Sequence, residues 1–473
     1  MSAVRGAWPR LAAMPGEALY RATLLYRRSR SLSALRAIEH APQAARPDAV
    51  EAQWRALSAL LAHAEAHVPY YREVFRARKL RSEDIRRVED LAELPVLTKE
   101  IVRERTQDLV SETADRTRLI LARTSGSTGV PLSYCYDRRA LDVWEAGHLR
   151  DLAQCGWRPG EMIADFWPPP PRSERMGRCE FTLRQIVRRT YQFDACRSSN
   201  RALERWAAVW RRVRPRVADG LPVTMARFAE FAERTGVSLP PVRGVYPTGE
   251  TLAPEHRSLL ARVFGGPVFD RYGCSEVRNI ASECAHGRMH VNLDFVVLEA
   301  AGRAGADDPA PLLVTGLRNY AMPFIRYENG DRGVLTPGEC TCGNRFPLMR
   351  LATARVNDLF TLSDGNVVHG LSFAGALWAC EGVERFQVHQ TAPDAITLWV
   401  IPSRGLEEPR ARGLRAARER IRAIAGADLS IQIREVAEIP GLGNAKWHVA
   451  RSDVTPAGSQ AGGARGGRRA GDR

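Results

Sequence analysis

Residues 119–136 read LILARTSGSTGVPLSYCY, and this stretch decides how the middle of the chain is interpreted. An apolar segment, a loop of small residues and a second apolar segment predict two strands joined by a turn. Two glycines within six residues permit the positive φ angles that a backbone needs to wrap around a polyanion. The hydroxyls and amides of the loop are potential donors to phosphate oxygens, although an ordinary polar loop is the alternative. The loop consists of Thr124, Ser125, Gly126, Ser127, Thr128 and Gly129.

Outward from this loop, the chain shows regular hydrophobic patterning. Apolar residues at spacings of three and four predict a helix over 48–78, which Pro69 should end or kink. Thr98 is the expected N-cap of a helix from Lys99. Beyond Asp137, apolar strand-like segments alternate with helical stretches to about residue 350, which favours an α/β architecture. The last hundred residues form a smaller α+β pattern of their own.

These patterns predict four parts of the chain. Residues 1–45 form an N-terminal extension that we expect to be helical. Residues 46–354 form a large domain, and residues 355–455 form a small one. Residues 456–473 are rich in glycine, alanine and arginine, a composition typical of disordered tails.

The formal net charge is +15, and the tail from Pro456 contributes four arginines against one aspartate. A positive field attracts nucleotides and acidic substrates. Nucleic-acid binding is a weaker alternative, because no basic stripe is interleaved with aromatic residues.

No run is long and apolar enough to span a bilayer, and we identify no secretory signal, although the N-terminus could be an amphipathic helix on a membrane. The nine cysteines do not resemble a small disulfide scaffold, so we expect a cytoplasmic protein.

One group of cysteines and histidines has the spacing of metal ligands. Cys284 and His290 form one pair, and Cys340 and Cys342 form the other. Two such pairs predict a four-coordinate structural zinc site, although the same residues could be reduced thiols on a surface hairpin. His286 is an alternative nitrogen ligand.

Four motifs in order resemble those of the adenylate-forming superfamily, which includes the acyl-CoA synthetases. TSGSTGVPL resembles its phosphate loop. Tyr272-Gly273-Cys274-Ser275-Glu276 resembles its Tyr-Gly-x-Thr/Ser-Glu motif, and Arg326-Tyr327-Glu328-Asn329-Gly330-Asp331 resembles its Arg-Tyr-x-Thr-Gly-Asp motif. Lys446 stands in a glycine-rich loop, where the superfamily keeps a catalytic lysine. The segments VPYYREVF and LPVLTKE narrow the resemblance to the phenylacetate–CoA ligase branch, which includes CapK-like proteins of polysaccharide clusters.

The resemblance implies a large domain that binds ATP and an acid, and a mobile small domain that acts as a lid. It also implies a role for each matched residue in the nucleotide site. Tyr272 would stack on adenine beside the wall formed by Gly249 and Glu250, with Gly273 following in the motif. Asp331 would accept hydrogen bonds from the ribose hydroxyls.

Further matched residues would act at the phosphates or at the boundary between the domains. Ser275 would donate to the α-phosphate, and Glu276 would hold Mg²⁺. Arg355 would reach the ribose or the phosphates, and Asp358 would be the hinge. Lys446 would stabilise the negative charge that develops during adenylate formation.

The chain departs from the superfamily pattern at several positions. Val130 stands where a lysine is common, and Thr248 replaces the first glycine of a Gly-Gly-Glu motif. The hinge reads Ala354-Arg355-Val356-Asn357-Asp358 in place of Gly-Arg-x-Asp-Asp. Asn444-Ala445 precede Lys446 where Ser-Gly is usual. These departures concern transfer of the acyl group more than its activation.

The resemblance implies an AMP-forming ligase that activates a small carboxylic acid with ATP and passes the acyl group to a thiol. The acceptor could be coenzyme A, a carrier protein, or an amine or hydroxyl in polysaccharide modification. A non-catalytic nucleotide-binding scaffold is the main alternative, and a homodimer is compatible with the sequence. The residues that could line either the acyl pocket or the core are Trp144, His148, Phe166, Trp167 and Tyr246.

Overall fold

We describe the fold from a computed structural model of the chain. The residues that the structure describes are 17–18, 20–21, 24, 29–41, 46–124, 132–168, 185, 188–195, 198, 200–250, 252–301, 308–353, 359–377, 380–403, 405–426, 428–440 and 450–454. The helices are α1 (Ser31–Ile38), α2 (Arg46–His67), α3 (Pro69–Arg78), α4 (Lys99–Glu104), α5 (Arg138–Gln154), α6 (Asn200–Val213), α7 (Pro222–Arg234), α8 (Pro254–Phe264), α9 (Gly370–Leu377) and α10 (Glu407–Ala425).

Strands make up most of the remaining regular structure. They are β1 (Ile120–Thr124), β2 (Leu132–Tyr136), β3 (Ile163–Phe166), β4 (Thr190–Gln192), β5 (Val217–Gly220), β6 (Gly244–Pro247), β7 (Arg271–Tyr272), β8 (Ala281–Glu283), β9 (Met289–Val291), β10 (Val296–Ala300), β11 (Ala310–Gly316), β12 (Tyr327–Thr336), β13 (Leu348–Thr353), β14 (Leu359–Thr361), β15 (Val367–His369), β16 (Val383–Ala392), β17 (Ala395–Pro402), β18 (Ser430–Glu435) and β19 (Ala450–Ser452).

The local signals of the sequence operate as predicted in the N-terminal half. Pro69 occupies the first turn of α3, so the long helical stretch breaks into α2 and α3 at this residue. Thr98 caps α4 by accepting a hydrogen bond from the Ile101 amide at 3.4 Å. Asp137 caps α5 in the same way, through the Ala140 amide at 2.7 Å. Both caps satisfy amides that a helix leaves unpaired at its start.

Four strands form a parallel sheet in the order β4-β3-β5-β6. Its strands alternate with helices, as an α/β architecture requires. One face packs on the core that contains Phe166 and Trp210, together with α6, α7 and α8. Ile163, Val217 and Tyr246 on the other face join the main core. This sheet confirms the predicted α/β class.

The predicted alternation of strands and helices to about residue 350 is wrong beyond residue 264. The described residues from β7 to β13 contain strands and turns only, and their seven strands form one sheet in the order β10-β11-β12-β13-β9-β8-β7. Each neighbouring pair in this sheet is antiparallel. Antiparallel strands need only a short turn between them, so no crossover helix is required.

The C-terminal residues have a hydrophobic core of their own. A four-stranded sheet in the order β18-β17-β16-β19 packs with α9 and α10 around Phe360, Phe373 and Phe386. Helix α10 and strands β16, β17 and β18 account for the smaller α+β pattern that the sequence predicts for the last hundred residues. None of the described helices combines the length and the apolar character needed to span a bilayer.

Candidate active site

The candidate site lies at the carboxyl edge of the parallel sheet, where ligands commonly bind in α/β proteins. Thr248, which follows β6, forms a parallel bridge with Arg271, and its Oγ1 donates to the Arg271 carbonyl oxygen at 3.2 Å. Gly249 has a φ of +87°, and a Cβ at this position would lie 3.1 Å from the Trp167 ring. Glycine therefore fits this turn, and the turn brings Gly249 and the buried Glu250 beside β7.

Tyr272 belongs to a hydrogen-bonded network that joins two of the sequence motifs. Its hydroxyl donates to Asp331 Oδ2 at 3.0 Å and accepts from Asn329 Nδ2 at 2.7 Å. The Asp331 amide donates to Asn329 Oδ1 at 3.0 Å within an irregular stretch of β12, where Gly330 has a φ of +91°. Burial and the adjacent Asp331 carboxylate raise the pKa of Tyr272 well above its ordinary value, so the phenol remains a donor.

Glu276 is buried, with 3% of its surface exposed, and it is held by one neighbour. The Tyr327 hydroxyl donates to Glu276 Oε1 at 2.8 Å. Glu276 Oε2 is also buried and has no hydrogen-bond partner among the residues that the structure describes. A buried carboxylate oxygen without a partner is costly, and Mg²⁺ is a cation that prefers such ligands. The side chain therefore fits the metal-binding role that the resemblance implies.

Ser275 and Gly273 are exposed on the same segment. The Ser275 carbonyl oxygen accepts a hydrogen bond from the Tyr134 hydroxyl at 2.7 Å. Tyr134 belongs to β2, which pairs with β1, and Thr124 is the last residue of β1. This contact joins β2, the strand that follows the predicted phosphate loop, to the segment that carries Ser275.

Several predicted site residues lie outside the described residues. These are Ser125, Gly126, Ser127, Thr128, Gly129, Arg355, Asp358 and Lys446. The predicted domain boundary near residue 355 and the tail from residue 456 also fall there. Their roles stay predictions that rest on the motifs.

Arg326 links β12 to two other parts of the chain, a structural role that the sequence did not indicate. Its guanidinium binds Glu299 at 3.0 Å and the carbonyl oxygens of Ala92 and Leu94. Its φ is +52°, which is unusual for a residue with a side chain. These contacts hold the start of β12, and hence Tyr327, against residues 92–94. The motif named Arg326, but no local signal revealed its partners.

The five candidates for the acyl pocket divide into two groups. Trp144, Phe166 and Tyr246 are buried and belong to the hydrophobic core. His148 and Trp167 are partly exposed near the carboxyl edge of the sheet. Only these two remain candidates for contact with a substrate.

The predicted zinc ligands come together in space. The ligand atoms of Cys284, His290, Cys340 and Cys342 all lie within 4.8 Å of one another. His290 Nδ1 lies 2.9 Å from the Phe346 carbonyl oxygen, a contact that leaves Nε2, the atom facing Cys342 at 3.5 Å, as the ligand. His286 is exposed and contacts Thr341, so it is not the nitrogen of this cluster.

The fold is that of adenylate-forming acid–CoA ligases. A crystal structure of 2-hydroxyisobutyryl-CoA ligase with 2-HIB-AMP and CoA in the thioesterification state aligns with a TM-score of 0.59 at 19% identity. The alignment covers 88% of this chain and 92% of that one. The post-adenylation structure with R3-HIB-AMP aligns with a TM-score of 0.57 at 19% identity, over 87% of this chain and 91% of that one. These likenesses confirm the predicted fold class.

Within that class, the sequence is similar to phenylacetate–CoA ligases. The enzyme of Thermus thermophilus is 26% identical over 349 residues, which cover 70% of this chain and 76% of the relative. The enzyme of Escherichia coli is 25% identical over 332 residues, covering 67% and 73%. No family model matches the sequence. The resemblance predicted from the motifs is confirmed by these relatives.

Proposed function

We propose that this chain is an ATP-dependent, AMP-forming ligase that activates a carboxylic acid as an acyl-adenylate and transfers it to coenzyme A. The observation that carries the proposal is the arrangement of Tyr272, Asp331 and Glu276 around β12. It combines a buried phenol, a partly exposed carboxylate and a buried carboxylate whose Oε2 has no hydrogen-bond partner among the described residues. Adenine, ribose and Mg²⁺ require groups of these kinds. The phenylacetate–CoA ligase relatives support CoA as the acceptor.

The nucleotide would bind along the carboxyl edge of the parallel sheet. Tyr272 and the turn at Gly249 would flank the adenine, and Asp331 would accept hydrogen bonds from the ribose. Ser275, with the loop from Thr124 to Gly129, would donate to the phosphates. Mg²⁺, when bound by Glu276, would neutralise phosphate charge. Each contact stabilises a group that ATP presents, so the set favours nucleotide binding before chemistry.

The acid's carboxylate would attack the α-phosphorus, forming the acyl–phosphate bond and releasing pyrophosphate. Negative charge grows on the transferring group and on the pyrophosphate, and the Lys446 ammonium would stabilise it. We assign residues 46–354 to the domain that binds ATP and the acid, and residues 355–455 to the lid. Rotation at Asp358, with Arg355 beside it, would then withdraw Lys446 before the thiol of CoA attacks the acyl carbon and AMP leaves.

We also propose that Cys284, His290, Cys340 and Cys342 hold a structural zinc ion. Three sulfurs and one imidazole nitrogen form a common tetrahedral set, and no open position is needed for chemistry. The site would tie β9 to the turn before β13. The seven cysteines that the structure describes are all free thiols, which is compatible with a reducing cytoplasm.

The decisive experiment is ATP–pyrophosphate exchange across aryl, fatty, hydroxylated and amino acids, followed by a CoA-dependent thioester assay. We expect exchange with at least one acid and AMP release on addition of CoA. ATP binding without exchange for any acid would point instead to a nucleotide-binding scaffold. Exchange without thioester formation would point to a carrier-protein thiol, an amine or a hydroxyl as the acceptor.

A further inference from the structure

A polar surface lies directly beside the proposed nucleotide site, on the face of the parallel sheet that α5 covers. Asp165, Asp219 and Tyr246 are paired in register across β3, β5 and β6, so their side chains point to the same face. A Cβ on Gly244, two residues before Tyr246, would lie 2.6 Å from Cys155 Cβ after the end of α5. The two aspartates therefore face the preceding turns of α5.

His148, on α5, connects this surface to β7. Its Nδ1 contacts Arg271 Nη1, and its Nε2 lies 3.4 Å from Asp219 Oδ2. An arginine side chain donates and cannot accept, so Nδ1 must be the acceptor and the imidazole proton resides on Nε2, facing Asp219. Burial and the adjacent Arg271 lower the pKa of His148 to about 4, so the ring is neutral at physiological pH.

Arg271 is the residue immediately before Tyr272, which brings this polar group to the edge of the nucleotide site. Its Nη2 lies 3.6 Å from Asp219 Oδ1, and its guanidinium lies over the Tyr246 ring at 5.3 Å. Asp219 is 6% exposed, and its Oδ1 has no hydrogen-bond partner within the described part of the chain. Among the described residues the hydrogen-bonding capacity of the group is thus not fully used, which is unusual for buried polar atoms.

The surface is also open to solvent on one side. The His148 side chain is 30% exposed and the Arg271 side chain 14% exposed. Asp165 is partly exposed as well. These exposed fractions leave His148, Arg271 and Asp165 within reach of a bound substrate.

From this arrangement we infer that Asp165, His148 and Arg271 form the wall of the acyl pocket and select acids that carry a hydroxyl or amino group. This inference rests on the proposed function and adds the class of substrate. Asp219 is a positioning residue, because it is buried and acts through the orientation of His148 and Arg271.

Charge alone does not define what this group accepts, because Asp151 also acts on Arg271, Arg188 acts on Asp165 and Arg278 acts on His148. The selectivity follows from Asp165, the partly exposed carboxyl group of the wall. Burial and the neighbouring Asp219 raise the pKa of Asp165 well above its ordinary value. A hydroxyl or an amino group can form a hydrogen bond with Asp165 in its ionised or its protonated form, whereas a second carboxylate would be repelled by the ionised form. A phenyl or alkyl group would leave these polar atoms without partners, which is the costlier outcome.

The test compares matched acids in ATP–pyrophosphate exchange with the full chain. The pairs are phenylacetate with 4-hydroxy- and 4-aminophenylacetate, benzoate with 3-hydroxybenzoate, and butyrate with 3-hydroxybutyrate, and malonate represents the dicarboxylates. We expect kcat/KM for the best substituted acid to exceed that of its unsubstituted partner by on the order of 100-fold. Equal activity within every pair, or preference for malonate, would overturn the inference while leaving the ligase intact. Absence of exchange with any acid would instead count against the proposed function.

Variants locate the selectivity in these residues. Asp165→Leu and Arg271→Leu should shift the preference at least about tenfold toward the unsubstituted acid, with the KM for ATP within about twofold. If the Arg271→Leu variant does not fold, Asp165→Leu still tests the inference. Asp165 is partly exposed, so we expect its replacement to leave the fold intact. The control is Arg212→Leu on α6, an exposed arginine on the opposite side of the sheet, which should leave the ratio unchanged. An unchanged ratio in folded Asp165→Leu would assign these residues to structure alone.

Discussion

At the scale of single residues, the site depends on side chains that orient other side chains. Tyr327 holds one oxygen of Glu276, and Asn329 holds the hydroxyl of Tyr272. Both orienting residues lie on β12, so one strand aligns the proposed metal ligand and the proposed adenine-binding residue. A positioned carboxylate loses less freedom when it binds a cation, which raises affinity.

The Tyr327→Phe variant tests this alignment. Removing the hydroxyl leaves Glu276 buried with neither oxygen held by β12, so we expect Mg²⁺-dependent ATP binding to weaken about tenfold, the value of one charge-assisted hydrogen bond. Titration of Mn²⁺ by electron paramagnetic resonance, with ATP present, measures this affinity without requiring turnover.

Tyr71→Phe is the matched control for the loss of a buried hydroxyl. The Tyr71 hydroxyl donates to the Pro323 carbonyl oxygen at 3.1 Å and accepts from the Ile325 amide at 3.0 Å, near the same strand. The Tyr71→Phe variant should lower the free energy of unfolding by ~1–3 kcal/mol, the usual effect of losing a buried hydrogen bond, without a change in metal affinity. Equal metal affinities in the two variants would contradict the role of Tyr327.

At the scale of elements, the seven-stranded sheet joins the motifs to the cysteine cluster. Strand β12 carries Asp331, and its neighbour β13 pairs in turn with β9, which carries His290. A metal that ties β9 to the turn containing Cys342 would therefore stabilise the sheet that presents Asp331. Such a site contributes to folding and not to the reaction.

Two histidines in this region provide a matched comparison. His290→Ala should lose bound zinc and lower the melting temperature, because a buried ligand is removed. His286→Ala should retain both, because His286 is exposed and outside the cluster. Elemental analysis of protein purified without chelator, with thermal unfolding alongside, measures the two effects. Zinc retained in His290→Ala, or absent from the unaltered protein, would refute the site.

The carboxyl group of Asp270, the residue before β7, predicts a pH effect on stability. Burial and the neighbouring Glu283 carboxylate raise the pKa of Asp270 to about 7, above its value in an unfolded chain. The folded state therefore binds the proton more tightly, and this residue's contribution to stability should decline as pH rises from about 4 to 7. In Asp270→Asn the melting temperature should fall less over that range, by a few degrees. Parallel melting curves for the two proteins would contradict this assignment.

At the scale of the whole molecule, the described residues form separate cores for the large part of the chain and for the C-terminal part. The core of the C-terminal part, around Phe360, Phe373 and Phe386, contains only residues from Phe360 to Ala450. Lys446 belongs to the sequence of this C-terminal part, whereas Tyr272, Glu276 and Asp331 belong to the large one. Adenylate formation by these residues would therefore require the two parts to act together.

The Lys446→Ala variant tests that cooperation. Removing the ammonium should reduce ATP–pyrophosphate exchange by a factor of at least about 100, because charge developing in the transition state loses its partner. ATP binding, measured by calorimetry, should remain within severalfold, since the nucleotide contacts that we propose come from Tyr272, Asp331 and Glu276. Lys79→Ala, at an exposed lysine after α3, is the control. A comparable loss of binding and exchange would contradict the assigned role.

The sequence by itself determined the features that depend on neighbouring residues. Strands on either side of the loop from Thr124, the break at Pro69 and the cap at Thr98 all follow from local chemistry. The order of the motifs also predicted the fold class, and the paired spacing of the cysteines predicted a metal cluster. Each strand, break, cap, motif and ligand pair carries its signal within a few neighbouring positions, and the order of the motifs along the chain adds the rest.

Only the tertiary structure decided which distant side chains meet. Tyr327 and Glu276 are 51 residues apart, and His148 and Arg271 are 123 apart. Their contacts depend on the order and register of strands in two sheets, and no local pattern encodes these properties. The sequence placed His290 in the metal cluster with His286 as an alternative, and the structure decides for His290 because the turn before β13 brings Cys342 to its imidazole. Proximity in a fold follows from packing of the whole chain, so these contacts could not be predicted from the motifs.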